Sequence, residues 1–521
     1  MNNLEKKVRV RFAPSPTGYM HIGNFRTALY NFLFAKKHSG SFLIRIEDTD
    51  QSRFVEGATE KLLQSMEFMD LDWDEGPYIN NQNTTDNRQH QEESSSYPGI
   101  LEVGEHGPYI QSERTELYQK YALELIEKGK AYYCFCEPER LEQMREMQQK
   151  EKLPPKYDHY CLKNLSPQQI NENLRNNCKH VVRLKVPEDE TIEFVDAIRG
   201  KVSFSTNTID DQVLLKSDGF PTYHLANVID DHLMKITHVI RGEDWLPSTP
   251  KHILLYRAFG WQEPEFAHLP LLLNTNKSKL SKRQGDIAVE DYLSRGYLKE
   301  AIVNFVAMLG WNPGEGSVQE IFSMEELVEK FDLSHVHKAG AVFDLKKLDW
   351  INSQYIKKLN IDQLYEMTLP FFKKKESYVS WDMEHEHLNK EEKVQYLKKV
   401  LTVEKERLSK FEDVGDENPY FFLDIKYDKN LLVWKDLTHS QIKESLEKSK
   451  AALTGIDNND WTKEIIEKEL LAVAGENRGN LLWPLRVALT GAQKSPSPFE
   501  CAWVLGKDES LNRIEKAHKM L

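Results

Sequence analysis

The hydrophobic pattern changes period within the first fifty residues. Residues 8–12 alternate and are rich in β-formers, and Pro14, Pro16 and Gly18 then break the strand. From Asn24 the apolar positions Phe25, Ala28, Leu29, Phe32 and Leu33 fall at the i, i+3, i+4 spacing of an amphipathic helix. Gly40 closes that helix, and Phe42 to Ile46 reads as a second, buried strand. Strand, turn, helix and strand in this order predict the opening of a parallel α/β sheet. Asn80 to Ser96 contains no hydrophobic residue, which predicts an exposed spacer with nothing to bury. Further on, Leu117 to Lys130 is helical, residues 181–186 and 193–204 have strand patterns, and Tyr223 to Ile240 returns to α/β character. From about residue 290 the period is helical and stays so, through Trp461 to Ala474, Leu481 to Thr490 and Phe499 to Leu521. The chain reads as an α/β front carrying an insertion, followed by an all-helical rear.

Composition narrows the class. A length of 521 residues suggests roughly three to five domains. With 40% hydrophobic and 29% charged residues the chain can bury ordinary cores, which excludes collagen-like and wholly disordered readings. No apolar run approaches the roughly 18 residues of a membrane helix. The start is charged and leads straight into Val8-Arg9-Val10-Arg11-Phe12, so no secretory signal is expected. Cysteines at 134, 136, 161, 178 and 501 are too few and too clustered for a disulfide scaffold. A cytoplasmic protein is expected. Lys plus Arg 69 against Asp plus Glu 82 gives −13, which argues against a general nucleic-acid coat but leaves room for a specific RNA on a local basic face.

Two segments carry chemistry. Arg11-Phe12-Ala13-Pro14-Ser15-Pro16-Thr17-Gly18-Tyr19-Met20-His21-Ile22-Gly23-Asn24 sits at a strand-to-helix turn. The helix start offers free N–H groups and a positive dipole end to an anion, Gly18 and Gly23 allow a ligand close to the main chain, and His21 can donate to a phosphate oxygen. The second segment, Lys277-Ser278-Lys279-Leu280-Ser281-Lys282-Arg283-Gln284-Gly285-Asp286, is a cationic loop suited to a polyphosphate. Taken singly, the first is also what a glycine-punctuated turn with a surface histidine looks like, and the second a solvated basic loop.

In this order, the pair resembles the two ATP-binding signatures of class I aminoacyl-tRNA synthetases. The text around them is similar to the glutamyl-tRNA synthetases: Arg11 to Gly18, Arg45-Ile46-Glu47-Asp48-Thr49-Asp50, Leu214 to Gly219, Pro221 to Asn227, Arg241-Gly242-Glu243-Asp244-Trp245, Val342 to Leu345 and Leu485 to Gly491. Asn24 stands where the class motif can carry histidine, and Leu280 where it often carries methionine. The resemblance implies a Rossmann-like parallel-sheet catalytic domain with an inserted α+β acceptor-arm domain, followed by an all-helical anticodon-binding region. The implied segments are 1–114 and 222–275 for the catalytic halves and 115–221 for the inserted tRNA acceptor-binding domain. Residues 276–358 would be a helical stem-contact domain with the Lys279–Arg283 loop, and 359–521 the anticodon-binding region.

The implied reaction joins glutamate to ATP as glutamyl-adenylate and passes the glutamyl group to the terminal ribose of tRNA(Glu). Such transfers need positioning and charge neutralisation more than a nucleophilic side chain. His21, Lys279 and Lys282 would stabilise the α-phosphate and departing pyrophosphate, with Mg²⁺ bridging the oxygens. Gly18, Gly23, Asn24, Asp244, Trp245 and Ser281 would complete the ATP site. For glutamate, Arg11 with the Tyr223 hydroxyl would take the side-chain carboxylate. Arg241 with Asn227 would take the α-carboxylate, and Glu47 and Ser15 the ammonium, with Ala13 in the wall; the two arginines can also exchange roles. Arg407 roughly matches an anticodon-contacting arginine. Cys134, Cys136 and Cys161 suggest a zinc knuckle, with Tyr157 or His159 as fourth ligand, since Lys163 stands where full examples have histidine. The family suggests a monomer, and whether tRNA(Gln) is also charged stays open.

Three rivals have distinguishing features. A glutaminyl-tRNA synthetase would have β-barrels in place of helices over 359–521, and a truncated glutamyl-queuosine tRNA synthetase would lack that region. An inactive RNA-binding paralogue would be expected to lose His21 or the lysine pair, and all three residues are present.

Overall fold

Arg9–Phe12 (β1), Ile22–Lys37 (α1) and Ser41–Ile44 (β2) form the predicted strand–helix–strand opening. β1 and β2 pair in parallel from Arg9 with Ser41 to Phe12 with Ile44. Gly40 is what lets the chain turn from α1 into β2, because a Cβ there would lie 2.4 Å from the Val8 carbonyl oxygen. These coordinates are a computed structural model, which describes residues 7–53, 55–80, 91–280, 288–314 and 316–521. The chain forms two compact units, one of Met1–Tyr292 with Ile302–Leu345 and one of Leu293–Ala301 with Lys346–Leu521.

In the first unit α1 is more deeply embedded than an amphipathic stripe implies. Eleven of its 16 residues are buried, including Arg26, Tyr30 and Asn31. A helix covered on nearly every side is the expected result of sheet on one face and further helices on the other. Tyr30 shows this, since its hydroxyl donates to the Ala307 and Leu309 carbonyls while its ring meets Phe331 edge-on at 5.0 Å.

Ala58–Phe68 (α2) leads to Gly76–Ile79 (β3), Gln91–Glu93 (β4) and Ile100–Val103 (β5), an antiparallel sheet of order β3-β5-β4. This corrects the reading of Asn80 to Ser96 as a mere spacer, although 81–90 lie outside the described residues. β4 is an edge strand held by backbone bonds, and Ser94 is buried with its hydroxyl donating to Glu113 at 2.6 Å. An edge built from polar residues leaves no mark in a hydrophobic pattern.

Thr115–Glu127 (α3), Ala131–Cys134 (β6), Pro138–Lys150 (α4), Tyr160–Asn164 (α5), Pro167–Arg175 (α6), Val181–Leu184 (β7), Thr191–Asp196 (β8), Gly200–Ser205 (β9) and Val213–Leu215 (β10) follow. β10, β7 and β6 make an antiparallel sheet. The stretch 193–204, expected as one strand, is two: β8 and β9 form a hairpin whose turn is organised by Asp196, which accepts from the Ile198 and Arg199 amides.

Tyr223–Leu233 (α7), His238–Gly242 (β11), Thr249–Phe259 (α8) and Glu265–Leu269 (β12) complete the parallel core. β11 and β12 pair in parallel, β12 meets β8 at Phe266 and Asp196, and the sheet order is β11-β12-β8-β9. Thr237 N donates to Arg9 O at 2.9 Å, which sets β1 beside the start of β11. β1 therefore has β2 on one side and β11 on the other. The chain order reverses there, and in parallel α/β sheets such a reversal opens a crevice beyond the carboxyl ends of the strands.

The second unit has no strand among its described residues. Four of its helices start on reciprocal caps in which Asn360, Asn389, Thr438 and Ser497 each exchange hydrogen bonds with the residue three positions on. Phe499 to Leu521, expected as one helix, is divided at Gly506, whose φ of +81° ends Pro498–Leu505 before Lys507–Met520 begins.

Candidate active site

A cleft of about 720 Å³ lies beyond the carboxyl ends of β1, β2 and β11. Its wall brings together Arg11, Ala13, Ser15, His21, Gly23, Asn24, Glu47, Tyr223, Arg241, Asp244, Trp245 and Lys279, which the sequence singled out for two different ligands. Gly18 is not part of the wall. It belongs to the loop before α1, where its φ of +125° requires glycine. Ser281 and Lys282 lie outside the described residues. Both ends of their segment are anchored near the α1 turn: Leu280 N donates to Leu272 O, and Val289 N to Met20 O.

One half of the cleft is organised by the start of α1. His21 is its N-cap residue, and its Nδ1 accepts from the Gly23 amide at 3.1 Å. That bond assigns the proton of a neutral imidazole to Nε2, so the ring caps the helix with one nitrogen and keeps a donor on the other. Gly23 itself has an ordinary backbone, and a Cβ there would come 3.4 Å from His21 Nδ1 and 3.9 Å from Leu272. Trp245, another wall residue, is exposed, and its ring centroid lies 4.2 Å from that of Tyr223.

The other half is a set of buried arginines. Arg11, on β1, grips Asp231 of α7 through Nε and Nη2 at 3.0 and 3.2 Å. Arg45, fully buried after β2, donates to Asp231 at 2.7 Å and to Glu47 at 2.9 Å. With its amide oxygen toward them, Asn227 accepts from Arg45 and Arg11 at 3.2 and 3.3 Å. Burial alone would raise the Asp231 carboxyl, but the two guanidiniums outweigh it and hold Asp231 below the usual range. For Glu47 burial wins over Arg45, and the carboxyl sits above its ordinary value.

Arg241, at the end of β11, has a different surrounding. Its Nε donates to His268 Nε2 at 3.1 Å, Nη1 meets the Tyr223 hydroxyl and His252 Nδ1 at 3.2 Å each, and Nη2 donates to Thr249 Oγ1 at 2.9 Å. No carboxylate touches it among the described residues. Burial, reinforced by Arg241, pushes His252 well below its usual value, and burial with Lys251 pushes His224, which contacts His252, down to about 3. The imidazoles are therefore neutral acceptors. Arg11 and Tyr223 are expected to share one carboxylate of glutamate and Arg241 and Asn227 the other; the direct contacts are Asn227 on Arg11 and the Tyr223 hydroxyl on Arg241.

Sequence reasoning gives no role to Arg45, Asp231, His252 or His268. Arg45 is marked only as part of the segment Arg45–Asp50, and Asp231 leaves a signal as one of two adjacent acids inside the largely apolar helix α7, where an acid needs a buried partner.

The cysteines form a second cluster. The sulfurs of Cys134, Cys136 and Cys161 lie within 4.8 Å of one another. The Tyr157 hydroxyl is 3.4 Å from Cys134 Sγ and 3.2 Å from Cys136 Sγ, and accepts from the Cys161 amide at 3.0 Å. His159 is not in the group, because its Nδ1 is 2.8 Å from Asp211. Phe135 N and Arg140 donate to the sulfurs of Cys161 and Cys136. The Cys134 thiol is pushed down to about 4, chiefly by the hydrogen bond it accepts from Cys161. In the second unit, Arg407 is exposed just past the helix Lys390–Glu404.

Residues 7–350 match the family model for the catalytic domain of class I tRNA synthetases (E and Q), and 363–518 the anticodon binding domain. The chain is 45% identical to a glutamate–tRNA ligase of Prosthecochloris aestuarii over 524 aligned positions, covering 98% of each. It is also 45% identical to one of Alkaliphilus metalliredigens, again with 98% of each covered. A crystal structure of a glutamate tRNA ligase from Elizabethkingia meningosepticum in complex with its amino acid superposes with a TM-score of 0.82 at 36% identity, covering 99% of this chain and all of that one.

Proposed function

The chain belongs to the glutamate–tRNA ligases of class I, which attach glutamate to tRNA(Glu) with ATP, and from this we propose how the cleft carries the reaction. The observation that carries the reading is that one cleft brings together a capped helix start, suited to phosphate, and a set of buried arginines, suited to carboxylate. ATP lies with its phosphates at the start of α1. His21 Nε2–H, Lys279 and Lys282 meet the charge that builds on the α-phosphate as a glutamate carboxylate oxygen attacks and pyrophosphate departs. Mg²⁺ bound with ATP would supply further positive charge at the phosphates. Trp245, Asp244, Gly23 and Asn24 hold the nucleoside side.

Glutamate carries two carboxylates and an ammonium. Arg11 retains Nη1 for the side-chain carboxylate, since Asp231 engages its other two nitrogens. Arg241 takes the α-carboxylate with the Tyr223 hydroxyl beside it, and Glu47 with Ser15 takes the ammonium. Arg45 and Asn227 act from beneath by fixing Glu47 and Arg11. The inserted segment 115–221 receives the tRNA acceptor arm, and 359–521, with Arg407, the anticodon. The strand-free second unit supports this against a glutaminyl-type tail.

Three sulfurs and a phenol oxygen converging on one point, with amide and guanidinium donors behind them, fit a tetrahedral zinc ion. Cys134, Cys136, Cys161 and Tyr157 would hold it, and it would supply a covalent-strength brace to the inserted segment. The test of the whole reading is pyrophosphate exchange into ATP with tRNA(Glu) present. Exchange should require glutamate and be weak with glutamine. Equal rates with both amino acids, or none with either, would overturn it.

A further inference from the structure

We propose that Asp196 and His268, neither of which touches the cleft, are positioning residues that hold Arg241 in place by fixing the tautomer of the His268 ring. The inference rests on the reading of Arg241 as a carboxylate binder.

An arginine can only donate hydrogen bonds. The Arg241 Nε–H points at His268 Nε2 at 3.1 Å, so Nε2 must present its lone pair. The proton of the neutral ring then belongs on Nδ1, and there it meets Asp196 Oδ2 at 2.6 Å. Thr249 Oγ1, which already accepts from Arg241 Nη2, is 3.1 Å from the same Nε2. His268 and Asp196 are wholly buried and Arg241 nearly so, at 0%, 1% and 5% exposure, so water cannot substitute for a lost acceptor. The groups facing the ring are Asp196, Arg241 and Thr249, with Arg199 donating to the His268 carbonyl at 3.4 Å. Burial holds the His268 ring below its usual value despite Asp196, the direction the arrangement needs, because a second proton on Nε2 would confront the Arg241 N–H. The carboxylate comes from the β8–β9 hairpin, at the one register point where β8 meets β12.

Asp196 also has a structural task, since its Oδ1 accepts from the Ile198 and Arg199 amides. Asp196→Asn separates the two tasks. The amide oxygen can keep the turn, while the NH₂ replaces the oxygen that faced His268. It then donates to Nδ1, moves the ring proton to Nε2 and sets two donors against each other at Arg241. His268→Gln offers a complementary control, because its amide oxygen can take the place of Nε2 as acceptor without help from Asp196.

Steady-state pyrophosphate exchange with tRNA(Glu) tests this. Asp196→Asn should raise the glutamate KM at least tenfold and leave the ATP KM within about twofold. His268→Gln should stay within a few-fold of wild type, and the double variant should resemble His268→Gln alone, since Asp196 acts through the ring. An unchanged glutamate KM in Asp196→Asn would overturn the proposal. So would additive losses in the double variant, which would place Asp196 in the fold alone. Arg241→Gln separates the layers: if it too leaves the glutamate KM unchanged, the reading of Arg241 itself has failed.

Discussion

The two sides of the proposed amino-acid pocket hold their arginines in opposite ways. On the β1 side, Arg11 and Arg45 share Asp231, and Arg45 also reaches Glu47. On the β11 side, Arg241 is held by two imidazoles and two hydroxyls, none of them charged. On both sides buried acceptors meet the guanidiniums, as burial demands, although among the described residues Arg45 Nε has no hydrogen-bond partner and lies 3.8 Å from Asp230. Only the first satisfies its charge. An arginine compensated by a buried acid is part of the scaffold before any ligand arrives, whereas one surrounded by neutral acceptors is completed by an anion from outside. Hydrogen bonds alone do not carry this difference, which appears when charge is counted separately.

If that distinction is right, substitutions should cost more stability on the β1 side and more activity relative to stability on the β11 side. Arg241→Gln should have the largest effect on catalysis, because a substrate carboxylate would enter a desolvated site without its partner. Losing one member of a buried charge pair costs about 3–5 kcal/mol, or roughly a few hundred- to a few thousand-fold in kcat/KM for glutamate. The free protein should be little affected. No acid is left alone, and a glutamine amide can still donate to a neighbouring acceptor, so the unfolding midpoint should move by less than about 2 °C. A variant that loses several degrees with modest kinetic loss would mean that Arg241 is scaffold too.

The parts of the site that could be read from the sequence are those in which chemistry and local structure coincide. His21 was legible because the turn it occupies is itself signalled by Pro16, Gly18 and Gly23, and the cap on Gly23 is two residues away. The parallel opening was legible because β1, α1 and β2 change hydrophobic period at glycine and proline. The charge network was not. Asp231 and Arg45 are 186 residues apart, Asp196 and His268 72, and nothing in the spacing of either pair marks it. Such contacts are created by the sheet order, in which β11 comes beside β1 and β8 beside β12, and sheet order is a tertiary property. The polar edge strand β4 escaped for a related reason, since its stabilisation comes from backbone bonds that any sequence can make. The same reasoning explains why Tyr157 rather than His159 joins the cysteines. The two are neighbours in the sequence, but Asp211, which lies far along the chain, engages the histidine.

Asp231→Asn sharpens the comparison from the other side, with a smaller effect. Two guanidiniums would lose their shared acid, but Glu47 remains on Arg45, Asp230 lies 3.8 Å from Arg45 Nε, and asparagine keeps one acceptor oxygen. The loss should therefore be near the low end of the buried-pair range, about 3 kcal/mol of stability. Its pH dependence is a separate signature. Arg11 and Arg45 hold the Asp231 carboxyl below the value of about 3.9 expected in an unfolded chain. A depressed carboxyl contributes its stability fully above the unfolded value and loses it as pH falls through the folded value. The gap in unfolding free energy between wild type and Asp231→Asn should thus be constant from about pH 8 to pH 5. Below about pH 4 it should shrink, because the wild-type carboxyl gains its proton and comes to resemble the amide. Denaturant titrations at several pH values measure this gap directly. A gap that stays constant into acid would mean that what the asparagine removes is packing rather than charge, and the two sides of the pocket would then differ less than their hydrogen bonds suggest.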